Sequence, residues 1–149
     1  MSTGHPQLAL DEQLCFPLYA ATRAVTQRYA ELLGDVGLTY PQYLALLALW
    51  EADAPVTVGG LGRRLRLDSG TLTPLLKRLE SQGHVSRRRD PEDERRVLVE
   101  PTEQGWALRE RVADVPGRLL DGMGLSVEDL LRLRRDLGTL LDGLDASAG

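Results

Sequence analysis

A mainly α fold with a small β-wing is what this 149-residue sequence predicts, on the strength of three adjoining stretches. TVGGLGRRLRL puts Leu61 and Leu65 four residues apart, on one helical face. DSGTLTPLLKRLESQG spaces Leu72, Leu75, Leu76 and Leu79 as the apolar stripe of a second amphipathic helix. HVSRRRDPEDERRVLVEPTEQG holds two β-prone runs around an Asp-Pro-Glu-Asp turn. Helix, turn, helix and arginine-rich hairpin, in that order, is the layout of a winged helix-turn-helix, an architecture that reads DNA.

Each element has its own signal. Leu14, Leu18, Ala21, Val25 and Leu32 hold one stripe, so a first helix is expected from Leu14 to Leu33, with Gly34 as its stop. Thr39 opens a second helix with Pro41 in its first turn, and its body QYLALLALWE is apolar on nearly every side, which predicts burial. Residues from Ala52 to Pro55 read as a loop. Thr57 caps the third helix, in which Gly59 and Gly60 are each unfavourable by roughly 1 kcal/mol relative to alanine, so tertiary packing has to support it. Asp68 or Ser69 caps the fourth. Pro74 lies inside that helix, where its ring presses on the carbonyl of Gly70, and Gly83 ends it. The wing strands are expected at Val85–Arg89 and Arg95–Glu100. A fifth helix should run from Gln104 to Leu120, bent near Pro116-Gly117, and a sixth from Ser126 to Leu144, before a frayed DASAG tail. With no internal repeat and no long linker, residues 1–149 read as a single domain, 39–103 forming its DNA-binding region.

The bulk numbers narrow the classes. With 42% hydrophobic and 27% charged residues the chain can bury a core, and disorder is excluded over most of its length. MSTGHPQLAL lacks the basic and apolar regions of a secretory signal, and no apolar run reaches membrane-spanning length. One cysteine excludes an intramolecular disulfide and fits a reducing compartment, so a cytoplasmic location without membrane attachment is expected. The net charge of −4 argues against nucleic acid until its distribution is read. Residues 63–96 hold ten Lys/Arg against six Asp/Glu, a block of +4 that leaves −8 for the rest. A basic block within an acidic chain is a local phosphate-binding footprint. Within it, Ser69, Thr71, Thr73 and Lys77 should face the major groove with Arg78 near phosphate. Arg95 should reach the minor groove, while Arg87 to Arg89 or Arg96 supply phosphate contacts.

The terminal helices need another explanation. Leu119, Leu120, Leu125, Leu130, Leu131, Leu133, Leu137, Leu140, Leu141 and Leu144 are too many leucines for a peripheral helix pair to cover. A homodimer accounts for them, with residues 10–34 and 104–145 as its interface, and two-fold symmetry then calls for an inverted-repeat operator in double-stranded DNA.

Three segments, QLCFPLYAATRAV, LTYPQYLALLALWE and LDSGTLTPLLKRLE, together with the wing pattern Asp93-Glu94-Arg95, Val99, Thr102 and Gly105, resemble the MarR family of dimeric winged-helix regulators over nearly the whole chain. Within it the chain is similar to the organic-hydroperoxide group, the OhrR-type repressors. Pro101 stands where leucine is more usual, and Pro17, two residues after the cysteine, also departs from the pattern and suggests a later helix start. The resemblance implies that Cys15 is a peroxide-sensing thiol and that Tyr29 and Tyr40 of the other subunit hydrogen-bond it. Geometry agrees, since Cys15 and Tyr29 are about 21 Å apart along one helix at ~1.5 Å per residue. Tyr19, four residues after Cys15, shares its face and can support the thiol in cis. Tyr43 reads as core.

The chemistry is consistent with that assignment. Peroxide reacts with a thiolate, an anion favoured by a helix N-terminus and by phenolic donors. Phe16, Leu18 and Trp50 are expected to line an apolar approach suited to organic hydroperoxides. Oxidation gives a sulfenic acid, and with no second cysteine a low-molecular-weight thiol must resolve it as a mixed disulfide. The expected function is therefore a redox-sensing transcriptional repressor without enzymatic activity or cofactor. Rival readings are a regulator released by a small aromatic ligand, with Cys15 incidental, and a thiol peroxidase. A metal sensor is weaker still, because Cys15, His5 and His84 follow no ligand spacing.

Overall fold

The structure, a computed structural model, describes residues 4–149. The first three residues, part of the stretch read as lacking a secretory signal, lie outside the described residues. The chain divides into two compact units, one ending at Val115 and the other running from Pro116. Two one-turn 3-10 helices, Pro6–Leu8 and Leu10–Glu12, precede α1, Cys15–Leu32. A further 3-10 turn at Gly34–Val36 leads to α2, Tyr40–Glu51. The DNA-binding layout follows as β1, Val56–Thr57, α3, Val58–Leu65, α4, Ser69–Ser81, β2, Val85–Arg89, and β3, Val97–Pro101. Then come α5, Glu103–Arg111, α6, Val115–Asp121, and α7, Val127–Ser147.

Side-chain caps fix most of the helix starts. Thr39 and Gln42 form a reciprocal capping box at α2, with Pro41 in the first turn, where its missing N–H costs nothing. Thr57 accepts from the Gly60 N–H at α3, Asp68 from Thr71 at α4, and Ser126 from Asp129 at α7. Between α3 and α4, Gly62 lets the turn close, because a Cβ there would lie 2.8 Å from the Leu67 carbonyl oxygen. Pro74 is accommodated without a break in α4. Gly83, at φ +84°, turns the chain from α4 into the wing.

The sheet is antiparallel in the order β1-β3-β2, with Val56 opposite Val99 and Val85 opposite Pro101. The short strand β1 was not anticipated: two residues are too few for an alternation signal, and only β3 makes them a strand. Leu46, Leu49, Leu72, Leu76 and Leu79 of the helices and Val85 and Val99 of the sheet are buried in the first unit, and Trp50 donates its indole N–H to the Gly105 carbonyl at 3.1 Å. Gly105 packs so closely on the backbone of His84, just before β2, that a Cβ would overlap the His84 carbonyl oxygen.

Several expectations are corrected. β3 starts at Val97, not Arg95, because Arg95 and Arg96 belong to a turn held by Asp90 and Asp93. The fifth helix ends at Arg111, and a turn at 112–114 starts a new helix in which Pro116 occupies the first turn, so proline opens a helix here and does not bend one. The DAS of the tail stays helical in α7. The second helix is not buried all round, since Leu47 is exposed. α1 starts at Cys15, one residue after the expected Leu14, and Pro17 falls in its first turn.

Candidate nucleic-acid interface and thiol site

The helix-turn-helix is built from its turn outward. Arg66 ends α3 at φ +57°, in the left-handed region, and Asp68 then orients the first turn of α4 by accepting from the Thr71 amide at 2.8 Å. Leu72, Leu75, Leu76 and Leu79 bury one side of α4. That leaves Ser69, Thr71, Lys77 and Arg78 exposed, with Thr73 half-buried at the edge. The sequence-predicted recognition residues thus lie along one helix whose leucines anchor it to the core.

The wing is an ion-paired hairpin. Asp90, buried, accepts from Arg96 at 2.7 Å, and its Oδ1 accepts from the Glu92 amide at 2.9 Å. Asp93 accepts from the Arg95 backbone N–H at 3.1 Å and from both sides of its guanidinium, Nε at 3.0 Å and Nη2 at 3.1 Å. That hydrogen bonding holds the Asp93 carboxyl below the usual carboxylate range. Arg95 stays 90% exposed at the wing tip, braced but open to a partner. Arg87 is placed differently. It shares the inward face of β2 with buried Val85, and its Nη2 lies 3.0 Å from Glu80 Oε1 on α4.

The thiol and the tyrosines occupy opposite ends of α1. Cys15 is exposed at the first helical residue. Tyr19 is also exposed and carries the Arg23 guanidinium 5.8 Å from its ring centroid. Fourteen residues along from Cys15, Tyr29 stacks on Tyr40 of α2, centroids 4.1 Å apart and 11° between planes, and Tyr43 joins them at 5.6 Å from Tyr29. Burial, with the neighbouring Tyr40 and Tyr43 phenols, pushes the Tyr29 phenol up to about 12, and burial raises Tyr40 and Tyr43 as well. All three therefore remain O–H donors at neutral pH, and among the described residues none of their hydroxyls has a hydrogen-bond partner. Within one chain Cys15 and these phenols are not brought together. Nor does Trp50 line the approach to the thiol, since it is buried and tied to Gly105. No group of three or more His, Cys, Asp or Glu among the described residues could hold a metal ion.

Comparison with known proteins places this arrangement. The family described as "Transcriptional regulator SarA/Rot" matches residues 27–112. The "Organic hydroperoxide resistance transcriptional regulator" of Bacillus subtilis (strain 168) is 49% identical over 97% of both chains. The chain belongs to the MarR family, in its organic-hydroperoxide group. Reduced AbfR bound to DNA has 37% sequence identity and a TM-score of 0.77, covering 95% of this chain and 99% of that one. Overoxidized AbfR bound to DNA has 36% identity and a TM-score of 0.78 over the same shares.

For a MarR-family chain the sequence reading missed two carboxylates that organise the wing, Glu80 and Asp90. A signal for the first was available: strand alternation puts Arg87 on the same face as Val85, and an inward arginine needs an acid. Asp90 gave no such signal, because its partner Arg96 reaches it only through the folded turn.

Proposed function

We propose that this chain is a DNA-binding transcriptional repressor, acting as a homodimer on an inverted repeat and released when organic hydroperoxide oxidises Cys15. The observation that carries the reading is the position of the lone cysteine, exposed at the first residue of α1 beside Leu14, Phe16 and Leu18, which are also exposed. A second copy laid across α1 would cover those side chains and bring its Tyr29 and Tyr40 hydroxyls, which lack partners here, to the sulfur. Two phenolic donors would hold a thiolate at the end of a helix whose dipole favours an anion. Peroxide would then transfer one oxygen to that sulfur, giving a sulfenic acid and an alcohol, and a small thiol would convert the acid to a mixed disulfide and water. Either product changes the size and hydrogen bonding of a group wedged between subunits. Ser69, Thr71, Thr73 and Lys77 would read the major groove, with Arg78 on phosphate and Arg95, steadied by Asp93, at the minor groove. No helix is long and apolar enough to cross a membrane among the described residues, which suits work in the cytoplasm.

The test is release from DNA. Wild-type protein should bind when reduced, dissociate on stoichiometric organic hydroperoxide and rebind after treatment with a reducing thiol. Cys15→Ser should bind equally well and ignore peroxide, and Tyr29→Phe or Tyr40→Phe should respond at least about tenfold more slowly, the effect of ~1.4 kcal/mol from one lost hydrogen bond to a charged group. Release of Cys15→Ser by peroxide would place sensing elsewhere and end this reading.

A further inference from the structure

We infer that Arg87 is a positioning residue which, with Glu80, fixes the wing to the recognition helix instead of contacting DNA phosphate. The inference rests on the DNA-reading function proposed above. Glu80 stands near the C-terminal end of α4 and makes two contacts with one wing residue: its Oε2 accepts the Arg87 backbone N–H at 3.1 Å and its Oε1 the Arg87 Nη2 at 3.0 Å. One carboxylate therefore holds both the backbone of β2 and the side chain on it. Arg87 lies opposite Val99, a residue with no exposed surface, and on the same strand face as buried Val85. Its side chain is only 22% exposed, and its Nε is buried without a partner, so the guanidinium is turned toward the protein. The other wing arginines differ: Arg88 and Arg89 are exposed, and Arg95 is 90% exposed at the tip. A wing that reaches the minor groove while α4 occupies the major groove must be held at a fixed offset from it. Glu80–Arg87 is an ion pair that joins those two elements.

A sign test separates the two roles. Near a phosphate backbone, removing an acid strengthens binding if the acid is only a surface charge, and weakens it if the acid holds the wing in place. Affinity is measured by fluorescence anisotropy on a duplex enriched from a randomised library by the wild-type protein, over a range of salt. Glu80→Gln and Arg87→Ala should each weaken binding by about 10-fold, and the double variant by no more than either alone, because both break one contact. Their slopes of log K against log salt should match the wild type, whereas Arg95→Ala should flatten the slope by about 0.9 for one lost phosphate neighbour. In the free protein, hydrogen exchange at the β2 and β3 amides should accelerate in both variants while α2 amides stay protected, which shows that the core remains folded. Tighter binding by Glu80→Gln, a slope flattened by about 0.9 in Arg87→Ala, or unchanged wing exchange would each overturn the inference. If the wild type enriches no sequence, the DNA-reading proposal fails by itself, and the exchange measurement still decides whether the brace exists.

Discussion

At the scale of single residues, the molecule uses burial and pairing to set charge. Arg87 donates to Glu80, and Arg95 to Asp93, and both carboxyls are held below their ordinary range as a result. His84 goes the other way. It is buried where α4 meets β2, its Nδ1 has no partner, and burial, followed by the charge of Arg111, lowers its pKa from the ordinary 6.5. Above that value the ring is neutral in both folded and unfolded chains and gives no pH dependence. As pH falls through it the unfolded chain takes up the proton first, so stability declines until the folded pKa is passed. The wild type should therefore melt lower at about pH 5.5 than at about pH 7.5, and His84→Gln should lose most of that difference in a thermal unfolding series. The two carboxyls do not interfere, because their contribution is lost only further down, as pH falls through their lowered values. An undiminished slope in His84→Gln would assign the titration to another group.

At the scale of elements, the helices that were legible in the sequence are those with both a stripe and a cap. α4 has four leucines on one side and Asp68 at its start, and it folds where the pattern placed it. α7 has Ser126, whose hydroxyl oxygen accepts from the Asp129 N–H and whose O–H donates to the Asp129 carboxylate. Boundaries failed where a competing partner lay far away in sequence, as with β1, which is a strand only through Val99 and Leu98. The exposed start of α4 supplies a prediction at this scale. Thr71→Ala should leave stability within about 0.5 kcal/mol, because the side chain is exposed and the cap uses the Thr71 amide. It should lower the preference for operator over random duplex by about tenfold, ~1.4 kcal/mol at one base pair. If a triple alanine variant at Ser69, Thr71 and Thr73 keeps the parent's preference in a competition binding assay, the reading face lies elsewhere.

At the scale of the whole molecule, the described chain leaves apolar surface uncovered in both units. In the first, Leu14 is 83% and Phe16 45% exposed. In the second, α7 has no buried residue along its length, and Leu131, Leu140, Leu141 and Leu144 are all exposed. Leucines at this spacing on a capped helix are the pattern of an interface. Sedimentation velocity should show a dimer at micromolar concentration, with a melting temperature that rises with protein concentration. Leu140→Glu combined with Leu144→Glu should give a monomer that loses operator affinity by at least about 100-fold, because two linked half-sites become one. A dimer that survives the paired substitution would move the interface off α7.

By itself the sequence determined the order of the helix-turn-helix and its wing, the recognition helix with a cap at Asp68 or Ser69, the lone thiol and the family pattern around it. These depend on neighbours within a turn or two, where periodicity, capping and the basic block act locally. Only the tertiary structure decided the rest. It made Val56–Thr57 a strand, committed Trp50 to Gly105, turned Arg87 onto Glu80 and stacked Tyr29 on Tyr40. Each of those pairings joins residues that chain folding brings together, and whether an arginine or an indole faces solvent, DNA or its own core depends on the partner it meets there.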